Sequence, residues 1–143
     1  MTDHSTNPII LYDGVCALCN GLVRFVLKRD RADWFRFASL QSNLAREILS
    51  RHGLNPDDLD TFYLVLENGQ PGEQILSRSD AAMRVLAELK GWPSVVAALM
   101  KIVPRFLRDF VYKLVARSRY RLFGKYDVCP LPAPGDRHKF LDQ

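Results

Sequence analysis

Apolar and polar positions alternate between two periods along this chain. Pro8–Tyr12 ends in the apolar run Ile-Ile-Leu-Tyr, which reads as a short buried strand, and Asp13-Gly14 turns the chain. Leu18, Leu22, Phe25 and Val26 then fall on one helical face, so a helix is predicted from about Cys16 to Lys28. Trp34–Ala38 alternates as a second strand. Leu44, Ile48 and Leu49 mark a helix over Leu40–Arg51, which His52-Gly53 ends. Thr61–Glu67 is the strongest strand pattern, rich in aromatic and branched residues. Asn68-Gly69 starts a turn, and Glu73–Leu76 returns. Ser77 and Ser79 are candidate N-caps, Ser77-x-x-Asp80 resembles a capping box, and the helix Asp80–Lys90 places Ala82, Val85, Leu86 and Leu89 inward. Gly91 stops it and Pro93 prevents its continuation.

The order β-α-β-α-β-β-α requires a parallel strand pair through a right-handed crossover, followed by an antiparallel hairpin and a closing helix. A mixed α/β sheet flanked by helices satisfies both halves. From Trp92 the pattern changes. Ser94–Val103 is apolar at Val95, Val96, Leu99, Met100 and Val103, and Pro104 interrupts. Arg105–Tyr120 carries Phe106, Leu107, Phe110, Val111, Leu114 and Val115 on one stripe, with bases on the other side. A bilayer span needs about 20 nearly uncharged residues, and Lys101, Pro104, Arg105, Arg108 and Asp109 break this stretch. The expectation is two amphipathic helices whose apolar stripes cover the core. An interfacial helix on anionic lipid is the alternative. The tail 127–143 is rich in proline and glycine and reads as irregular.

Charge sharpens this picture. The net charge is +4, unevenly spread. Gln41–Lys90 holds eight acids against five bases, whereas Lys101–Lys125 holds eight bases against the single acid Asp109. Such a segment suits either a solvated helix face or an anionic partner. Met1–Pro8 is polar and no apolar stretch with a basic lead-in follows, so no signal peptide is expected and a reducing cytoplasm is the anticipated compartment. Three cysteines in 143 residues do not form a disulfide framework.

The candidate chemistry is Cys16-Ala17-Leu18-Cys19, placed where the first strand stops and the first helix begins. Unpaired N–H groups and the helix dipole favour a thiolate there. Cys16, nearest those groups, is expected to be exposed and to act as the nucleophile, with Cys19 one turn deeper as the resolving thiol. Asp13 is a candidate for turn formation, helix capping or handling the Cys19 proton. Tyr12 is expected to pack. Other readings stay open. Cys16 and Cys19 with Cys129 and His138 would make four zinc ligands, but Cys129-x8-His138 is not a standard hook. Inert core cysteines are a further alternative; Cys129, between Val128 and Pro130, reads as a lone buried thiol, with an accessory redox partner as its alternative role. His4, His52 and His138 form no set, and Asp57, Asp58 and Asp60 read as a solvated loop. An aspartyl nucleophile at Asp13 would need a carboxylate where Val15 stands.

Tyr12-Asp13-Gly14-x-Cys16-x-x-Cys19, Leu40-Gln41-Ser42, Ser77-Arg78-Ser79-Asp80-Ala81-Ala82 and Ala116–Lys125 together resemble the DCC family of thiol-disulfide oxidoreductases, from Ile9 to about Pro130. The resemblance implies a thioredoxin-like domain over Pro8–Gly91, extended by a basic helical segment over 92–126 that packs on it. It implies thiol-disulfide exchange with Cys16, Cys19 and Asp13 as site residues and no cofactor. The implied partners are a disulfide-containing protein or small molecule and a thiol reductant. No nucleic acid is expected, and peripheral membrane contact is the alternative partner. Thioredoxins place a proline just before the strand that faces the cysteines. Here the nearest, Pro56, lies five residues before Thr61.

Overall fold

A computed structural model describes residues 7–14, 16–30, 34–55, 62–67, 71–89, 91–124 and 139–141. Four strands, β1 (Ile9–Tyr12), β2 (Arg36–Ser39), β3 (Tyr63–Leu66) and β4 (Gln74–Ser77), form one sheet in the order β2-β1-β3-β4. β1 and β2 pair in parallel, and β1–β3 and β3–β4 are antiparallel. The helices among the described residues are α1 (Ala17–Arg29), α2 (Asn43–Arg51), α3 (Arg78–Glu88), α4 (Trp92–Met100) and α5 (Arg105–Phe123). Connecting β1 to β2 through α1, and β3 to β4 by a hairpin, gives the mixed, thioredoxin-like sheet that the element order requires.

Strand periodicity divides the core into two layers. Ile10, Tyr12, Phe37 and Leu64 face α1 and α3, where Val23, Val26, Ala81, Val85 and Leu89 meet them. Ile9, Leu11, Ala38 and Val65 face α2, where Ala45, Ile48 and Leu49 meet them. β1 and most of β3 are buried on both faces, hence their nearly continuous apolar runs, whereas the edge strand β4 is only partly buried. The α2 helix begins at Ser42, whose Oγ accepts the Ala45 N–H at 3.2 Å, and ends at His52-Gly53, with Gly53 in the left-handed region at φ 72°. Beyond 138 the chain meets the sheet edge. Phe140 is buried, stacks on Phe37 and bridges it in parallel, and the Leu141 N–H donates to the Phe37 carbonyl at 2.8 Å. The expected irregular tail therefore has an ordered contact at 139–141.

Three local expectations need correction. Ser77 is the N-cap residue of α3 but its side chain makes no capping bond, and Ser79 lies inside the helix, so no capping box forms. Gly91 precedes a helix that already begins at Trp92, with Pro93 in its first turn, where its missing N–H costs nothing. The largest correction concerns α5. Its apolar stripe faces outward: Phe106, Leu107, Phe110, Val111, Leu114 and Val115 are all exposed. Its polar side faces the domain. Arg105 and Arg108 pair with Asp80, the Ser79 hydroxyl donates to the Asp109 carboxylate, and the Phe62 N–H donates to the Tyr112 hydroxyl at 2.7 Å. Periodicity defines a stripe but not the neighbour it meets. The sheet end offers polar partners, so the polar side of α5 turns inward.

Candidate active site

Tyr12 ends β1 inside the core, 2 % exposed. The chain then turns, with the Cys16 N–H donating to the Asp13 carbonyl at 3.2 Å. Cys16 is the N-cap of α1: its backbone is extended and its Sγ accepts the Cys19 N–H at 3.5 Å. The sulfur thus occupies the position usually taken by a capping oxygen, where amide hydrogen bonding and the helix dipole favour negative charge.

A buried polar network holds this turn. The Asn20 amide donates from Nδ2 to the Gly14 carbonyl at 2.8 Å and to the Cys16 carbonyl at 2.9 Å. Gln41, just past β2, joins both sides of the site. Its Nε2 donates to Asp13 Oδ1 at 2.8 Å, and its Oε1 accepts the Gly14 N–H at 3.0 Å and the Ser39 hydroxyl. Asp13 is 1 % exposed, so this hydrogen bonding offsets the cost of burying its carboxylate. Asp13 therefore forms the turn through its carbonyl, and its carboxylate engages Gln41.

The structure corrects one site expectation directly. Cys16 is fully buried, at 0 % exposure, and Cys19 is the partly exposed thiol. One cause lies in the distant chain: the Ala17 N–H donates to the Gly124 carbonyl at 3.2 Å, so the end of α5 closes over the start of α1. The thiol of Cys19 is pushed up from 9.0 to about 12. Burial is the main cause, followed by the neighbouring Cys16 sulfur and its hydrogen bond, and the Asp13 carboxylate acts in the same direction. A backbone hydrogen bond from Asp13 pulls the other way. Cys19 therefore stays a protonated thiol at neutral pH.

The site lies at one end of the sheet, where β1 stops, β3 starts and α3 begins. A cavity of about 390 Å³ lined by Pro8, Trp34, Leu66, Glu67, Arg84 and Glu88 lies at the other end. The DCC1-like thiol-disulfide oxidoreductase pattern matches residues 10–125, from within β1 through the residue that follows Gly124. The chain belongs to this DCC1-like family. YuxK of Bacillus subtilis (strain 168), itself uncharacterized, is 41% identical over 135 residues, covering 94% of each chain. A DCC family protein of Arabidopsis thaliana, At1g52590, described as chloroplastic, is 38% identical over 129 residues, covering 90% of this chain and 72% of that one. No solved structure matches the chain. Membership of the DCC1-like family carries a general thiol-disulfide oxidoreductase role.

Among the described residues, no three His, Cys, Asp or Glu side chains gather as a metal site. Cys129 and His138, needed by the zinc alternative, lie outside the described residues, as do Asp57, Asp58 and Asp60. His52 instead contacts the Glu73 carboxylate at 2.7 Å, beside the Arg51–Glu73 pair. Sequence reasoning missed Asn20 and Gly124 and gave Gln41 no role. Asn20 carried a legible signal, a polar residue one turn beyond Cys16 on a helix face that is otherwise apolar. Gln41 and Gly124 stood within the family-resembling segments Leu40-Gln41-Ser42 and Ala116–Lys125, but nothing local assigned them a role, because their partners lie far away in sequence.

Proposed function

We propose that this DCC1-like protein is a dithiol reductase in which Cys16 attacks and Cys19 resolves. The Cys16 thiolate attacks one sulfur of a substrate disulfide. That S–S bond breaks, the departing sulfur takes a proton, and a Cys16 mixed disulfide forms. Cys19 gives its proton to the nearby Asp13 carboxylate or to solvent, and its sulfur attacks Cys16 Sγ. The mixed disulfide breaks, the second substrate thiol leaves, and a Cys16–Cys19 disulfide remains. Two electrons have passed to the substrate, and an external thiol reductant restores the pair. The substrate is a disulfide-bearing protein or small molecule, and a reducing compartment such as the cytoplasm suits the cycle.

The observation that carries this reading is the Cys16 sulfur at the N-cap of α1, accepting the Cys19 N–H, with the second thiol one turn on and held protonated. This asymmetry favours Cys16 as the attacking group despite the greater exposure of Cys19. Attack then requires the cover over Cys16 to open. Insulin or small-disulfide reduction with a thiol donor tests the proposal. Turnover is expected from the wild type and lost in Cys16→Ser. Full activity in that variant, or none in the wild type, refutes it. A mixed disulfide trapped on Cys16 in Cys19→Ser would establish the order of the two sulfurs.

A further inference from the structure

The helices α4 and α5 present hydrocarbon to solvent in an ordered pattern. On α4 and the turn after it, Leu99 and Ile102 are exposed, Ile102 at 79 %. On α5, Phe106 (77 %), Leu107, Phe110 and Leu114 lie within about 100° of one another around the helix axis. This face is not waiting to turn inward. The hydrogen bonds and ion pairs of Arg105, Arg108, Asp109 and Tyr112 with α3 and the start of β3 fix the rotation of α5. A contiguous exposed apolar patch of this kind marks an interaction surface.

The charge around the patch selects the occupant. Lys101, Lys113, Arg117 and Arg121 are exposed. Lys113 lies beside the apolar stripe, and Arg117 and Arg121 continue the same face of α5 towards its C-terminal end. Asp109 is the single acid among residues 91–124, and its carboxylate is turned towards Ser79. A second copy of the chain would set base against base with no acid to pair. The apolar side chains need a hydrocarbon phase, and the bases beside them need fixed negative charge. α5, about 28 Å long, offers the convex, elongated shape of an interfacial helix rather than a pocket for a partner's side chain. Among the described residues no helix is long and apolar enough to cross a membrane.

We propose that α4 and α5 seat the protein on an anionic membrane surface. The Phe106–Leu114 stripe enters the boundary between headgroups and acyl chains, while Lys113, Arg117 and Arg121 lie against lipid phosphates. Because α5 runs across the Cys16 end of the sheet, docking brings the thiol pair close to the bilayer. The proposal does not depend on thiol chemistry: Cys16→Ser should bind lipid like the wild type.

The test is co-sedimentation with vesicles of phosphatidylcholine alone and of equal parts phosphatidylcholine and phosphatidylglycerol, across a salt series. Binding to the anionic vesicles is expected, at least about tenfold stronger than to the neutral ones and weakening with salt, since each surface base strengthens such binding by about fivefold. Lys113→Glu/Arg117→Glu should lose that preference. Phe110→Glu/Leu114→Glu should abolish binding, with unchanged circular dichroism because both positions are exposed. Equal binding to both vesicle types, or binding to neither, overturns the proposal. Absence of vesicle binding together with a dimer that Phe110→Glu dissolves assigns the face to a second copy. Absence of vesicle binding together with capture of polyglutamate assigns it to an acidic protein.

Discussion

The Gly124 carbonyl accepts the Ala17 N–H at 3.2 Å, so the residue that follows α5 completes the helix start that Cys16 caps. This one bond ties the basic extension to the thiol pair across more than a hundred residues of sequence. It also explains why the site end of the sheet is closed. The position requires an unusual backbone, since Gly124 has φ 96°. Gly124→Val should destabilise the protein by about 1–2 kcal/mol, because a branched side chain resists that left-handed region. It should also speed alkylation of Cys16, measured by peptide mass spectrometry beside a thermal melt. Lower stability with unchanged Cys16 labelling would show that Gly124 does not control access.

Cys19, pushed up to about 12 mainly by burial, predicts a specific alkaline behaviour. Its labelling by iodoacetamide should climb steadily above pH 9 instead of levelling off there. The native state holds this proton more tightly than the unfolded chain. Stability is therefore full below about pH 9 and is lost as pH rises towards about 12. Cys19→Ala should flatten that alkaline limb in urea titrations at successive pH values. An unchanged limb would mean that another group governs it.

At the acid end the relevant pair is Ser79 and Asp109. The Ser79 hydrogen bond holds the Asp109 carboxyl below its ordinary 3.8, with Arg105 and Arg78 adding to it against the opposing effect of burial. A lowered carboxyl contributes stability that is present above its unfolded value and lost as pH falls through the folded one. Ser79→Ala should cost about 1 kcal/mol at neutral pH, the scale of one hydrogen bond. The difference from the wild type should shrink below about pH 4. A constant difference down to pH 2 would count against this assignment.

Gln41 offers the sharpest electrostatic test of the site. Its amide donates to the buried Asp13 carboxylate, so Gln41→Glu would place a second carboxylate against the first. The variant should lose about 2 kcal/mol or more at neutral pH and regain part of it on acidification, when one carboxyl of the pair takes up a proton. Gln41→Met, which adds no charge, should lose stability without the pH-dependent recovery. Chemical denaturation of both variants at pH 5 and pH 8 separates the two effects.

The strand at Ile9–Tyr12, the helix from Cys16 onwards and the stop at His52-Gly53 were all legible in the sequence. They rest on neighbours within a few residues: apolar spacing, a turn dipeptide, a glycine past a helix end. Element boundaries moved by one to three residues, as at α2, because caps and edge pairing decide the last turn or strand residue. Ser77 shows the limit of a local motif. The spacing of a capping box is present, but the backbone leaves the serine side chain out of it.

What the sequence determined by itself was the set of elements, their order, and therefore a parallel crossover followed by a hairpin, with two cysteines at a helix start. Periodicity and turn chemistry are short-range properties, and every chain carries them openly. The tertiary structure alone decided that Cys16 is buried, that Gln41 holds Asp13, and that α5 turns its apolar stripe outward. Those outcomes depend on partners far apart in sequence: Ala17–Gly124, Asp13–Gln41, Ser79–Asp109 and Phe62–Tyr112. A helix with one apolar and one polar side has two ways to face a domain, and only the hydrogen-bonding groups waiting at the sheet end select between them.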